Sequence, residues 1–483
     1  MVLPASQTIL DSSKLPASQI PRQNGTQFGS TSTRNFDDDI GRDLSTVIRV
    51  NRQLFNLGIP RLWQAQRDIY LAKVPKHRRR VYTPLIQKLD LAGSPKDVYE
   101  EFKDLVFHNV KELSVTLEDD HETIADCRYL THFINPGLQL LDLEGSISAD
   151  FLLDVQNQCP KLRTVRLWRC GPCITPTDLL TFLSGLPYLE SLHITMDHHN
   201  MTDSKVIEFL ATSSTLEQLS LEQITPELLG DALSVESPFP QLKELDIEIN
   251  QDAVPSMAKI FGSVMQLSVT LRPTEDWDTP ETEVRIRPLS ELTELRTLEI
   301  SFNGDMTIVP EDLVSLRRLS NLISLRLRGL RKPRLGTAEF GDDDFHRLVS
   351  GLPDLDTLSL DPIPSKVTSA SLAALAKCCP RLESCFLGGG FHVLELQNYK
   401  APLFPTLGSL RVGCFLDLDE HVGDSVELIE GRAYEHAQQL ERHFPKADIQ
   451  VSQLGWFPNR ASFSFKVIRS LRPKNERDFG PGS

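Results

Sequence analysis

Leu162-Arg163-Thr164-Val165-Arg166-Leu167, Leu189-Glu190-Ser191-Leu192-His193-Ile194 and Leu216-Glu217-Gln218-Leu219-Ser220-Leu221 share one pattern: apolar, two spacers, apolar, one spacer, apolar. They start 27 residues apart. Upstream the same triplet starts at Ile86, Val110 and Leu138; downstream it starts at Leu242, Val264, Leu295, Leu322, Leu355, Leu382 and Leu407. That makes thirteen triplets, with successive starts 22 to 33 residues apart. In each, apolar residues alternate with polar ones, as in a strand with one buried face. Helix-like stretches follow, such as 177–183, 204–210 and 344–349, and several open on acceptable N-caps (Thr177, Asp203, Ser369). Proline steps such as Cys159-Pro160, Leu186-Pro187 and Cys379-Pro380 end a helix and set the turn into the next strand. One such unit cannot bury its apolar face alone, whereas a row of them shares a continuous core.

A period near 27 with this head resembles the leucine-rich repeat, in its long, ribonuclease-inhibitor-like class. The resemblance implies an α/β horseshoe solenoid of about thirteen strand–helix repeats. A solenoid offers one long concave surface, so binding is expected and catalysis is not.

Composition agrees with a soluble chain of ample core: 483 residues, 40% apolar and 24% charged. The net charge of −15 argues against general nucleic-acid binding, which needs a basic footprint. No stretch approaches the roughly 20 apolar residues of a membrane span, and Met1–Ala5 lacks the basic start of a secretory signal. Eight cysteines, several at core-like positions (Cys159, Cys379, Cys385), fit a reducing compartment, so cytoplasm or nucleus is expected.

Residues 1–39, polar and carrying LPASQ twice, read as a disordered tail. Residues 40–80 are helical in pattern and basic, 81–415 hold the repeats, 416–468 form a C-terminal cap around a helix at 425–443, and 469–483 are a frayed tail. Within the basic segment, Val50-Asn51-Arg52, Phe55 and Ile59-Pro60-Arg61-Leu62-Trp63 are similar to the second half of an F-box, where a V-x-R helix is followed by an aromatic and P-x-L-W. Joined to the repeats, the whole resembles the fungal-type F-box/leucine-rich-repeat proteins, substrate receptors of SCF ubiquitin ligases. The resemblance implies a protein substrate on the repeats. It also implies an SCF adaptor on Val50, Arg52, Phe55, Ile59, Pro60, Leu62 and Trp63. The L-P-x-E turn and apolar helix that open an F-box are absent at the matching distance, where Gly25–Ser32 is polar. The rival reading of residues 44–63 is an N-terminal cap of the array.

Other motifs point to structure rather than chemistry. Cys170-Gly171-Pro172-Cys173 has redox spacing but lies in phase with the repeats, and no second C-x-x-C or paired His follows for zinc. Asp197-His198-His199 reads as a solvated loop, Gly388-Gly389-Gly390 lacks the Lys-Ser/Thr of a phosphate loop, and Lys76–Arg80 reads as a solvated basic linker or a nuclear address. No cofactor, metal or catalytic residue is expected.

The strand spacers define columns on the concave face. One column carries Arg166, His193, Asp246, Arg326 and Phe386; the next carries Trp168, Glu222, Glu248 and Arg328. Arg166, Trp168 and His193 form a cationic–aromatic group of the kind enriched in binding hot spots. Glu222, Glu244, Asp246 and Glu248 cluster mid-array and suit a partner with a basic segment, although so acidic a chain also clusters acids by chance. Two long repeats add loops, Pro273–Pro288 with Trp277 and another carrying Arg331-Lys332-Pro333-Arg334.

Overall fold

All thirteen triplets form strands in the computed structural model of the chain, from Lys88–Ala92 to Ser409–Phe415. The structure describes residues 52–92, 96–117, 127–170, 174–195, 202–273, 282–303, 306–329, 340–360, 366–415 and 426–451. Both expected tails, Val50, Asp197–His199, Trp277 and the 331–334 loop lie outside these residues. The chain divides into two units at Gln64 and Ala65. In the first, the described element is a helix, Arg52–Leu62, with Pro60 inside it; Trp63 N–H closes its last turn on Ile59 C=O at 3.0 Å.

Among the described residues, the second unit is built on one parallel sheet of 15 strands whose spatial order follows the chain. Strands joined this way need a return stretch each time, so the chain winds as a solenoid with the returns on one side. The leucines of each triplet turn inward: Val165, Leu167, Leu325, Leu327 and Leu358 are fully buried. Their polar neighbours line the other face, which stays open to solvent. The fold is a leucine-rich-repeat solenoid.

A backbone relay ties the repeats together just before each strand. Lys111 N–H donates to Gln87 C=O at 2.7 Å, and Gln139 N–H to Lys111 C=O at 2.8 Å. The relay continues through Arg163, Glu190, Glu217, Lys243, Met265, Arg296, Ile323, Asp356, Glu383 and Gly408 to Asp448 without a break. Buried side chains satisfy turn carbonyls that the relay leaves over. Asn135 Nδ2 donates to Phe107 and Val110 C=O at 3.1 and 2.9 Å, and Cys379 Sγ lies 3.3 Å from Leu352 C=O. Burial pushes the Cys159 thiol up to about 11 and those of Cys379 and Cys385 to about 12, so these cysteines are inert packing groups.

The outer layer departs from the expected uniform helices. Runs of repeats with α-helices (Ala149–Gln158, Pro176–Ser184, Ser204–Ala211; then Asp342–Val349, Ser369–Cys378) are interspersed with repeats closed by 3₁₀ turns such as Cys127–Phe133 and Arg287–Glu291. Thr282–Val284, in the long repeat, pairs with Met306–Ile308 of the following repeat as a separate two-stranded sheet. Two N-caps also move. Thr175, not Thr177, caps its helix in a capping box with Asp178, because Pro176 fits the first helical position. Thr368, one residue before Ser369, caps Ser369–Cys378, and its hydroxyl and N–H are held by Asp342 at 2.6 and 2.8 Å. Asp203 caps as expected.

Two strands extend the sheet beyond the thirteen. Ala65–Arg67 lies within the segment read as an N-terminal cap, and Asp448–Val451 within that read as a C-terminal cap, after the helix Val426–His443. Residues 76–80 correct the linker reading, since Lys76–Tyr82 is a helix. Arg79 is buried there, donating to Val74 C=O at 2.9 Å, Ala72 C=O at 2.7 Å and Glu101 at 3.0 Å. The side chains of Lys76 and Arg79 hold the Glu101 carboxyl below its usual range. Asp68 is buried beside them and accepts from Tyr99 Oη at 2.8 Å.

Leu219 is 2% exposed in the middle of the sheet. Leu219→Ala is expected to cost roughly 2–5 kcal/mol in urea unfolding; a much smaller loss would mean that this strand turns its other face inward.

Candidate functional site

Strand register lines up the polar spacers across the open face. In the central column Asp142, Arg166 and His193 sit side by side, followed by Ser220, Asp246, Ser268, Glu299, Arg326, Ser359, Phe386 and Arg411. Neighbours in such a column stand about 4.8 Å apart, close enough for side chains to meet.

The cationic–aromatic group is assembled as the columns imply. The rings of Trp168 and His193 lie 4.1 Å apart, tilted by 42°. Asp142, absent from the group read in sequence, joins them: it accepts from Trp168 Nε1 at 2.8 Å and lies 3.7 Å from an Arg166 guanidinium nitrogen. Desolvation raises the Asp142 pKa, against the pull of Arg166 and the indole N–H. Desolvation, with the nearby Arg166 charge, lowers His193 to about 4, so its imidazole is neutral at pH 7. Its buried Nε2 has no hydrogen-bond partner among the described residues. Next to the group, Arg169 forms an ion pair with Glu144.

The acidic cluster is less uniform than its sequence suggests. Glu244 accepts from the amides of Gln218 at 3.0 Å and Gln266 at 3.3 Å, and Glu248 forms an ion pair with Arg272. Glu222 does not stand opposite Glu248. Register between the two strands holds to Leu221 and resumes at Ile224, because Gln223 takes a left-handed conformation (φ 57°) and bulges the strand. Asp246 has no cation beside it among the described residues; desolvation, with Glu299 and Glu248 nearby, raises its pKa against the Ser268 hydroxyl.

Farther along, Arg326 and Arg328 share Glu299 at 3.8 and 3.0 Å, and the Arg411 guanidinium sits 4.8 Å from the centroid of the Phe386 ring. Of the F-box-like residues, Arg52 and Phe55 fall on the first unit's helix. Pro60 is exposed, and Ile59, Leu62 and Trp63 are partly so. Among the described residues no cluster of His, Cys, Asp and Glu could hold a metal ion, and no helix is long and apolar enough to cross a membrane.

These features define a leucine-rich-repeat protein whose open sheet face carries aligned charged and aromatic side chains. Among solved structures, the chain is similar to one titled as the crystal structure of the Rad7 and Elc1 complex in yeast. Identity is 16% and the TM-score 0.38, over 82% of this chain and 97% of that one. No protein-family model matches the chain, and no curated protein matches it.

The depressed His193 pKa has a sign that can be checked. Between its ordinary 6.5 and about 4 the unfolded chain takes up a proton that the folded chain refuses, so His193 subtracts from stability as pH falls through that window. Asp142 and Asp246, raised in the folded chain, act in the opposite sense in acid. The His193 ring protons are expected to stay unshifted in NMR titration until close to pH 4, and His193→Phe should lose this part of the stability slope. Titration near pH 6.5 would show the ring to be solvated.

Proposed function

We propose that this protein is a non-catalytic substrate-recognition subunit that captures a protein partner on the open face of its repeats. The observation that carries this reading is the open face itself. On the same strands whose other side forms the core, Asp142, Arg166, Trp168 and His193 hold an aromatic–cationic group in fixed geometry. Preorganised aromatic and arginine side chains lose little freedom on binding, which is why they dominate interface energetics.

The finer proposal is that the 50–63 segment docks an SCF adaptor, making the protein a receptor of the F-box/leucine-rich-repeat type. It rests on the likeness of Val50, Arg52, Phe55 and Ile59–Trp63 to the F-box C-terminal half. A free-standing repeat scaffold is the rival, favoured by the polar Gly25–Ser32 stretch where an F-box would begin. The compartment proposed with either reading is the cytoplasm or nucleus, and no nucleic acid or membrane partner is proposed.

Two measurements separate the parts. Affinity purification of the full chain is expected to recover adaptor and cullin, and Ile59→Ala with Trp63→Ala should abolish that recovery. If the intact chain brings down neither, the scaffold reading takes its place. For the open face, Trp168→Ala should weaken partner binding by about tenfold or more. An unchanged partner list would exclude the Trp168 group.

A further inference from the structure

The central column of the open face pairs its charges across neighbouring strands, with two exceptions. Arg67 meets Asp90 at 3.4 Å, Arg166 meets Asp142 at 3.7 Å, and Arg326 meets Glu299 at 3.8 Å. Among the described residues, Asp246 and Arg411 have no oppositely charged partner. They are of opposite sign, and both lie in the same column.

The surroundings of each one suit a ligand. Asp246 sits where desolvation and the nearby Glu248 and Glu299 work against its charge, so a cation brought to it would relieve the site. The Arg411 guanidinium sits over the Phe386 ring, 4.8 Å from its centroid, and the residue is exposed, so it can still meet an anion. The floor beside it is bare backbone. Gly388 and Gly413 follow Phe386 and Arg411 on their strands, where the register shifts between Leu387 and Gly390, and a Cβ on Gly413 would come within 2.1 Å of Gly388 C=O. No other residue fits at Gly413, because the backbone of the neighbouring strand fills that space.

Six strand steps separate Asp246 from Arg411. At about 4.8 Å a step that is about 29 Å, the reach of roughly nine residues of extended chain at about 3.3 Å each. We propose that the open face captures an extended, charge-asymmetric peptide segment, seating a lysine or arginine on Asp246 and an aspartate or glutamate about nine residues away on Arg411 and Phe386. This rests on the protein-capture reading above and narrows it to a partner class.

The test is selection of peptides from a displayed library of random 16-residue sequences on the full-length protein and on Asp246→Lys and Arg411→Glu variants, with thermal melting to verify that each remains folded. The wild type is expected to enrich peptides with one basic and one acidic residue about nine positions apart. Arg411→Glu should enrich two basic residues at that spacing and Asp246→Lys two acidic ones, whichever way the peptide runs. A wild-type-selected peptide should bind each variant about three- to fivefold more weakly, as for a partly exposed ion pair, with the difference fading in salt. If all three proteins enrich the same peptides and Trp168→Ala loses them, the open face binds protein but the charge-pair reading is wrong. If none enriches any peptide, the charge-pair reading falls along with extended-segment capture on this face.

Discussion

Each strand of this sheet is held by the strand beside it. A single strand-and-return unit would leave the leucines of its triplet half exposed, and stacking covers them from both sides. The backbone relay from Gln87 to Asp448 fixes how one unit sits on the last. Because the relay repeats at the same point of every turn, strands enter the sheet in the same register, and the polar spacers of the central column line up; the register shifts only later, at the bulges after Leu221 and Leu387. The ion pairs of that column, the Trp168–His193 contact and the Arg411–Phe386 contact all follow from that alignment.

The strands were legible because an apolar triplet is a direct imprint of burial: leucine appears wherever a side chain meets the core. The same reasoning explains the two end strands it overlooked. In the register with Lys88–Ala92, Gln66 stands opposite Leu89, and in the register with Ser409–Phe415, Lys446 takes the place that Leu407 holds one strand earlier. End strands have a neighbour on one side only, so the demand for apolar residues is relaxed there. The outer layer was less legible. A return element as short as Arg287–Glu291 or Ala149–Gln158 becomes 3₁₀ or α according to what it packs on, and propensity is too weak to decide so short a piece.

The candidate site was half visible. Columns follow from spacing, which is why Arg166, Trp168 and His193 could be grouped without coordinates. Pairing depends on side-chain reach, and spacing is silent on it. Asp142 binds the Trp168 indole across two columns, and Arg272 reaches back to Glu248 from an adjacent strand. The bulge at Gln223 is harder still to foresee, because a left-handed glutamine leaves no mark of the kind that a glycine would. On a chain with a net charge of −15, these pairings decide which charges remain available. A sequence shows where carboxylates are; only their neighbours tell which are already occupied.

The long repeat, whose short strand Thr282–Val284 pairs with Met306–Ile308 of the following repeat, carries a further consequence. The sheet strands on either side, Gln266–Arg272 and Thr297–Phe302, still pair in unbroken register from Thr297 to Phe302. Thirty-one residues between triplet starts therefore produce the same lateral step as twenty-two. Inner and outer surfaces are thus decoupled in inheritance. Insertions can accumulate on the back of the coil without moving a single column on the front, and single substitutions on the front can alter what it recognises without touching the scaffold behind.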